Sequence, residues 1–89
     1  MIPQNLKKSF IDFHDTMIAN EILDPKTTFM IELGAAMAMG CYPCMEKLTA
    51  AAADKGVSEE ELGTIQAIVM AVGAGRVFNQ YREVCERLK

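Results

Sequence analysis

From Phe29 to Met39 the chain reads Phe-Met-Ile-Glu-Leu-Gly-Ala-Ala-Met-Ala-Met, with Glu32 as its only charge. Wound as a helix, this segment has no polar face, and a helix apolar on all sides is buried on all sides. The rest of the chain must therefore cover it. The 89 residues have room for one domain and not for two. A chain of this size buries only roughly 60–65% of its unfolded surface, so it is marginal alone. Hydrophobic residues make up 51% of it, high for a small soluble monomer. The excess reads as surface meant for another subunit.

The remaining segments repeat at helical spacing, without strand-like alternation, internal repeats or a low-complexity linker. A first helix is expected from about Asn5 to Asn20, with Leu6, Phe10, Phe13 and Met17 on one stripe. Asp24 is a candidate N-cap and Pro25 a first helical residue for the second helix, which runs to about Met39. Gly40 ends it. A third helix starts near Cys41, admits Pro43 in its first turn, and continues to about Lys55, with Gly56 as its stop. Ser58-Glu59-Glu60-Glu61 is a capping box for a fourth helix carrying Leu62, Ile65, Ile68, Val69 and Val72. Gly73 and Gly75 weaken or break that helix. A fifth, from about Arg76 to Leu88, has the stripe Val77, Phe78, Tyr81, Val84, Cys85 and Leu88. The expectation is a single all-α domain over residues 1–89 of about five helices.

Charge narrows the partners. The net charge is −3 and no stretch gathers Lys and Arg into a patch, which disfavours nucleic acid. Met1 to Lys8 is polar and has no apolar core of the signal-peptide kind, and no uncharged run is long enough to span a bilayer. The expected setting is cytoplasmic, with no membrane partner.

Chemistry points to Gly40-Cys41-Tyr42-Pro43-Cys44. A C-x-x-C at a helix entrance can close a small disulfide ring, and free N–H groups there favour the reactive thiolate. Three cysteines, an odd number in no secreted-framework pattern, suit redox chemistry or metal binding better than a structural staple. Two buried, inert thiols are the plainer alternative.

The ordered set of apolar helix, Gly-Cys-x-x-Cys, Ala50 to Ala53, Gly-Val-Ser-Glu-Glu-Glu-Leu at Gly56 to Leu62, and an apolar helix ending in Gly-x-Gly resembles the AhpD-like / carboxymuconolactone decarboxylase family. The resemblance spans roughly Asp24 to Gly75. It implies an all-α fold that assembles through its helices as a homo-oligomer, as dimers, trimers or hexamers. Its AhpD branch implies thiol–disulfide chemistry in peroxide defence, at positions corresponding to Cys41 and Cys44. That branch also implies a proton relay, from a glutamate twelve residues before the first cysteine and a histidine four after the second. Here those positions are Phe29 and Leu48, and Pro43 replaces the histidine sometimes found between the cysteines. The decarboxylase branch is less well matched, since Glu46 is the only acid–base group near the start of the third helix.

The function expected is therefore a thiol–disulfide oxidoreductase or weak, antioxidant peroxidase, without the relay and with a thiol or disulfide redox partner. No cofactor is expected. One alternative is a zinc or iron–sulfur protein using Cys41, Cys44 and Cys85. Another is a non-catalytic assembly domain. Glu32, three residues beyond the lost glutamate position and on the same face, could be a displaced proton acceptor for a thiol. A paired or interfacial carboxylate is the simpler reading. Glu46 reads as helix-stabilising, and His14, the only histidine, as solvated or at the core edge, though able to reach the site across a fold or subunit boundary. Cys85 reads as a packed thiol, and Met30, Met37, Met39, Met45 and Met70 as adaptable core filler. Tyr42 is placed to shield the site or contact a partner.

Overall fold

The computed structural model describes residues Met1–Lys89. Four α-helices and one short 3-10 turn follow in order: α1 (Gln4–Ile18), α2 (Pro25–Met39), α3 (Tyr42–Ala51), the turn Ala53–Lys55, and α4 (Glu59–Arg87). There is no strand, and the all-α class stands. α2 is central, packing against α1, α3 and α4.

The local stops lie where the side chains dictate. The Asp24 carboxylate accepts the Thr27 backbone N–H at 2.9 Å and caps α2. At its other end Gly40 has φ 70°, the left-handed conformation that costs an L side chain about 1–2 kcal/mol. With Gly40 so turned, the Cys41 N–H reaches back to Ala36 O at 3.0 Å and the Gly40 N–H to Met37 O at 3.2 Å. This closure satisfies the last carbonyls of α2 and launches α3 at once. Gly56 repeats the device at φ 74°. The capping box forms in full: Ser58 Oγ accepts the Glu61 N–H, and the Glu61 carboxylate accepts the Ser58 N–H at 2.9 Å. An ion pair from Lys26 to Glu61, 2.9 Å, ties the starts of α2 and α4 together.

The expected break at Gly73–Gly75 does not occur; the fourth and fifth expected helices are one helix of 29 residues. Neither glycine takes a positive φ. Each costs the helix about 1 kcal/mol relative to alanine. Stopping and restarting would add a second costly nucleus and two more sets of unpaired end groups. With no proline in α4, continuation is the cheaper course.

Burial is the larger departure. Leu33 is 0% exposed, and Phe29, Ala36, Ala52, Val57 and Ile65 complete a small core. The expectation that α2 is covered on all sides fails within one chain: Ile31 is 56% and Met39 83% exposed. The α1 stripe at Leu6, Phe10 and Phe13 and the α4 stripe at Val77, Phe78 and Tyr81 face outward too. Met39 and Met70 are exposed and so are not core filler here. The reason is shape. The chain extends 49 × 39 × 25 Å with a radius of gyration of 16.9 Å, against about 12 Å for a compact domain of this length. Its accessible surface is 7404 Å², about 2,200 Å² above the value expected of a folded monomer of this mass.

The apolar stretch of α4 runs on through Arg76. By length and composition α4 is therefore able to cross a membrane, with a mean hydropathy of 1.2 over an 18-residue window of which 6% is buried. Core helices of soluble assemblies pass the same test.

Candidate functional site

The closure at Gly40 places Cys41 at the N-cap of α3, with Tyr42 and Pro43 opening the helix and Cys44 completing its first turn. Pro43 has no N–H to lose there. The two cysteines are joined as a disulfide, their Cα atoms 5.3 Å apart, within the range such bridges require. Cys41 is half-buried and Cys44 exposed. Tyr42 between them is 79% exposed.

Cys44 opens onto a cleft of about 470 Å³ between α1, α2 and α3. Phe29 and Leu48, the two positions where the resemblance implies a relay, form apolar walls of this cleft. His14 and Glu32 line it as well. His14 Nε2 lies 3.1 Å from Glu32 Oε2, and Nδ1 lies 3.5 Å from Asp15 Oδ1. The imidazole is 44% exposed and the Glu32 side chain 22%. The hydrogen bond to Glu32 and the second one to Asp15 raise the imidazole's pKa above its usual 6.5, against a smaller opposing desolvation. Lys47 and Lys55 add two cations to the cleft wall.

The turn between α1 and α2 brings His14 over Glu32. The Asn20 amide donates to Met17 O at 2.9 Å and to Thr28 Oγ1 at 3.1 Å, while its Oδ1 accepts the N–H groups of Ile22 and Leu23. Asn20 thereby satisfies Thr28, the one buried polar residue, and holds α1 back along α2. Glu32 is the paired carboxylate of the simpler reading, and it is also in the cleft with Cys44. His14 is neither fully solvated nor in the core. The only acid–base pair in the cleft thus comes from α1 and α2, where spacing along α3 gave no hint of it. Glu46 is exposed on α3.

Cys85 is free and exposed near the end of α4, a correction to the packed thiol expected there. The α4 stripe it shares has no partner within the chain. No group of three or more His, Cys, Asp or Glu side chains is assembled in ligating geometry, so the three cysteines do not meet in one chain. A second groove, about 560 Å³ between α2 and α4, is walled by Met30, Ile31, Ile65 and Ile68 and contains neither thiol nor imidazole.

Among curated proteins none matches this chain. A crystal structure of a protein from Methanobacterium thermoautotrophicum, a structural-genomics target, has the same fold, with a TM-score of 0.83 over 93% of this chain and 94% of that one. The two share 22% sequence identity, and the likeness is one of fold alone. The carboxymuconolactone decarboxylase family model matches residues 4–86, nearly the whole chain. With the helical order and the C-x-x-C junction already described, this chain belongs to the carboxymuconolactone decarboxylase family.

Proposed function

We propose that the chain is a thiol–disulfide oxidoreductase, with the Cys41–Cys44 disulfide at one end of its cycle and the dithiol at the other. The observation that carries this reading is the bridge itself, set in the first turn of a helix with Cys44 facing an open cleft. Backbone N–H groups at that helix start favour a thiolate, and Lys47 and Lys55 add to the same bias.

The chemistry balances as two exchanges. A cysteine thiolate attacks a substrate disulfide, forming a mixed disulfide and expelling one substrate thiolate, which takes up a proton. The second cysteine gives up its proton and attacks the mixed disulfide. The Cys41–Cys44 bond closes and the other substrate thiol leaves. Protein dithiol plus substrate disulfide becomes protein disulfide plus two thiols, and an external dithiol reverses the change. With an organic peroxide the thiolate instead takes one oxygen, giving a sulfenic acid and an alcohol, and closure of the disulfide releases water.

The working species in this reading is a homo-oligomer. The surplus of about 2,200 Å² of surface per chain is on the scale of obligate interfaces. Exposed apolar side chains line the outward stripes of α1 and α4 and the uncovered side of α2.

The test is a redox titration of protein purified without oxygen, with thiols counted by alkylation and mass spectrometry and bound metal assayed on the same sample. A reversible two-electron Cys41–Cys44 couple near cellular potentials, absent from Cys41→Ser and Cys44→Ser proteins, supports the reading. A disulfide that does not reopen under cellular dithiol poise overturns it.

A further inference from the structure

Thiol–disulfide exchange moves a proton each time a sulfur changes partner. When a reductant thiolate attacks Cys41 Sγ, a bond forms between the two. The Cys41–Cys44 bond breaks, and its electron pair stays on Cys44 Sγ. That sulfur leaves more readily if an acid stands ready to protonate it. In the reverse step the Cys44 thiol must lose its proton before it can close the ring. An apolar cleft would supply neither service. The cleft at Cys44 is apolar at Phe29 and Leu48, but it also contains an imidazole held by a carboxylate.

Three features suit that pair to proton transfer. The 3.1 Å contact engages His14 Nε2 with Glu32 Oε2, orienting the ring by a group on another helix. A base so oriented is the arrangement that activates nucleophiles in general. Glu32 is the lone charge in the apolar run of α2 and is more shielded than the histidine, so its effect on the ring is less diluted by water. Finally, the pair is fixed through the Asn20 hydrogen bonds and Thr28, which set the position of α1 on α2.

We propose that His14 and Glu32 form the proton relay of the Cys41–Cys44 couple: Glu32 holds Nε2, and Nδ1, released from its longer 3.5 Å contact with Asp15, gives its proton to the Cys44 thiolate as the disulfide opens and takes it back as the disulfide closes. The inference rests on the oxidoreductase reading. The charged groups facing the relay are Asp15 on α1, Glu32 on α2, Lys47 on α3 and Lys55 in the 3-10 turn. The two carboxylates favour the imidazolium and the two ammonium groups oppose it. Because the hydrogen bond to Glu32 raises the pKa of His14, the acid form persists to higher pH than in a free histidine. Assistance to disulfide opening is thus complete at acid pH and fades as pH rises through the raised value. Assistance to closure has the opposite profile.

The experiment measures opening of the oxidised protein by dithiothreitol between pH 5 and 9, with acid quench, alkylation and mass spectrometry. Wild type is compared with His14→Gln and Glu32→Gln, and the reduction potential and helicity of each are recorded. The ratio of wild-type to variant rate cancels the reductant's own titration. The relay predicts a ratio of at least ~10 for His14→Gln at low pH, falling toward one as pH rises. It predicts a smaller ratio for Glu32→Gln, with the inflection of that protein's own profile moved to lower pH. Free imidazole restores part of the rate of a His14→Ala protein in proportion to its concentration, which a merely structural histidine would not allow. Ratios independent of pH, or no imidazole rescue, in variants of unchanged helicity and potential overturn the relay and leave the oxidoreductase standing. A wild-type disulfide that no dithiol reopens overturns both.

Discussion

Two glycines six residues apart should respond to the same substitution with opposite signs. Gly34 lies inside α2, where the chain faces α4. A methyl added there would sit 3.6 Å from Ile65 Cγ2 and 3.9 Å from Val69 Cγ2, both ordinary van der Waals distances. Alanine is favoured over glycine in a helix interior by about 1 kcal/mol, and the new contacts add a fraction of the ~0.8 kcal/mol of a fully buried methylene. Gly34→Ala is expected to stabilise the protein by about 1 kcal/mol, or a rise in Tm of ~4–8 °C for a domain of this size. Gly40 has nothing within 4 Å of the same added atom, yet its φ is 70°. Space is free there and conformation is not. The left-handed cost of about 1–2 kcal/mol, less the ~0.4–1 kcal/mol recovered from the unfolded chain, leaves Gly40→Ala destabilising by up to ~1.5 kcal/mol. Urea denaturation of the oxidised proteins measures both, at one fixed concentration because the stability of any self-associating protein depends on concentration. A destabilised Gly34→Ala would mean that α2 and α4 approach more closely than described. A neutral or stabilised Gly40→Ala would refute the left-handed closure that positions Cys41.

Leu33→Ala removes the most deeply buried side chain and is expected to cost about 2–5 kcal/mol by the same assay. Ser58→Ala removes one half of the capping box and should cost about 1 kcal/mol. The Ser58 backbone N–H, and after it Lys26, holds Glu61 below the usual carboxylate range, and Thr27 does the same for Asp24. Folded values below unfolded ones mean that this stabilisation is complete above the unfolded carboxylate pKa and is lost as pH falls through the folded one. The stability gap between wild type and Glu61→Gln should therefore be constant near neutrality and close in acid, as followed by circular dichroism. Phe78→Asp places a charge in the outward stripe of α4 and is expected to lower the assembled mass in sedimentation without loss of helicity; an unchanged mass would exclude that stripe as an interface.

The punctuation of this fold was legible residue by residue. Asp24, Gly40, Gly56 and the Ser58–Glu61 box act within a few residues of themselves, so their chemistry is written locally, and the C-x-x-C lies at the helix start they predict. The continuity of α4 was not legible. Glycine's cost at Gly73 and Gly75 is local, whereas the cost of a new helix nucleus belongs to the whole segment. Burial was misread for a related reason. Periodicity marks which face of a helix is apolar, but only the packing of one chain reveals how few of those faces it can cover itself. The sequence offered two separate cues to the His14–Glu32 pair: a single histidine on α1, and a single charge in an apolar helix. It could not join them, because residues eighteen apart in sequence meet only through the angle at which α1 folds back on α2. The sequence alone determined the caps at Asp24, Gly40, Gly56 and Ser58 and where the disulfide can form. Tertiary structure decided which proton-bearing groups share a cleft with that disulfide, because that proximity depends on packing between helices and leaves no periodic trace along the chain.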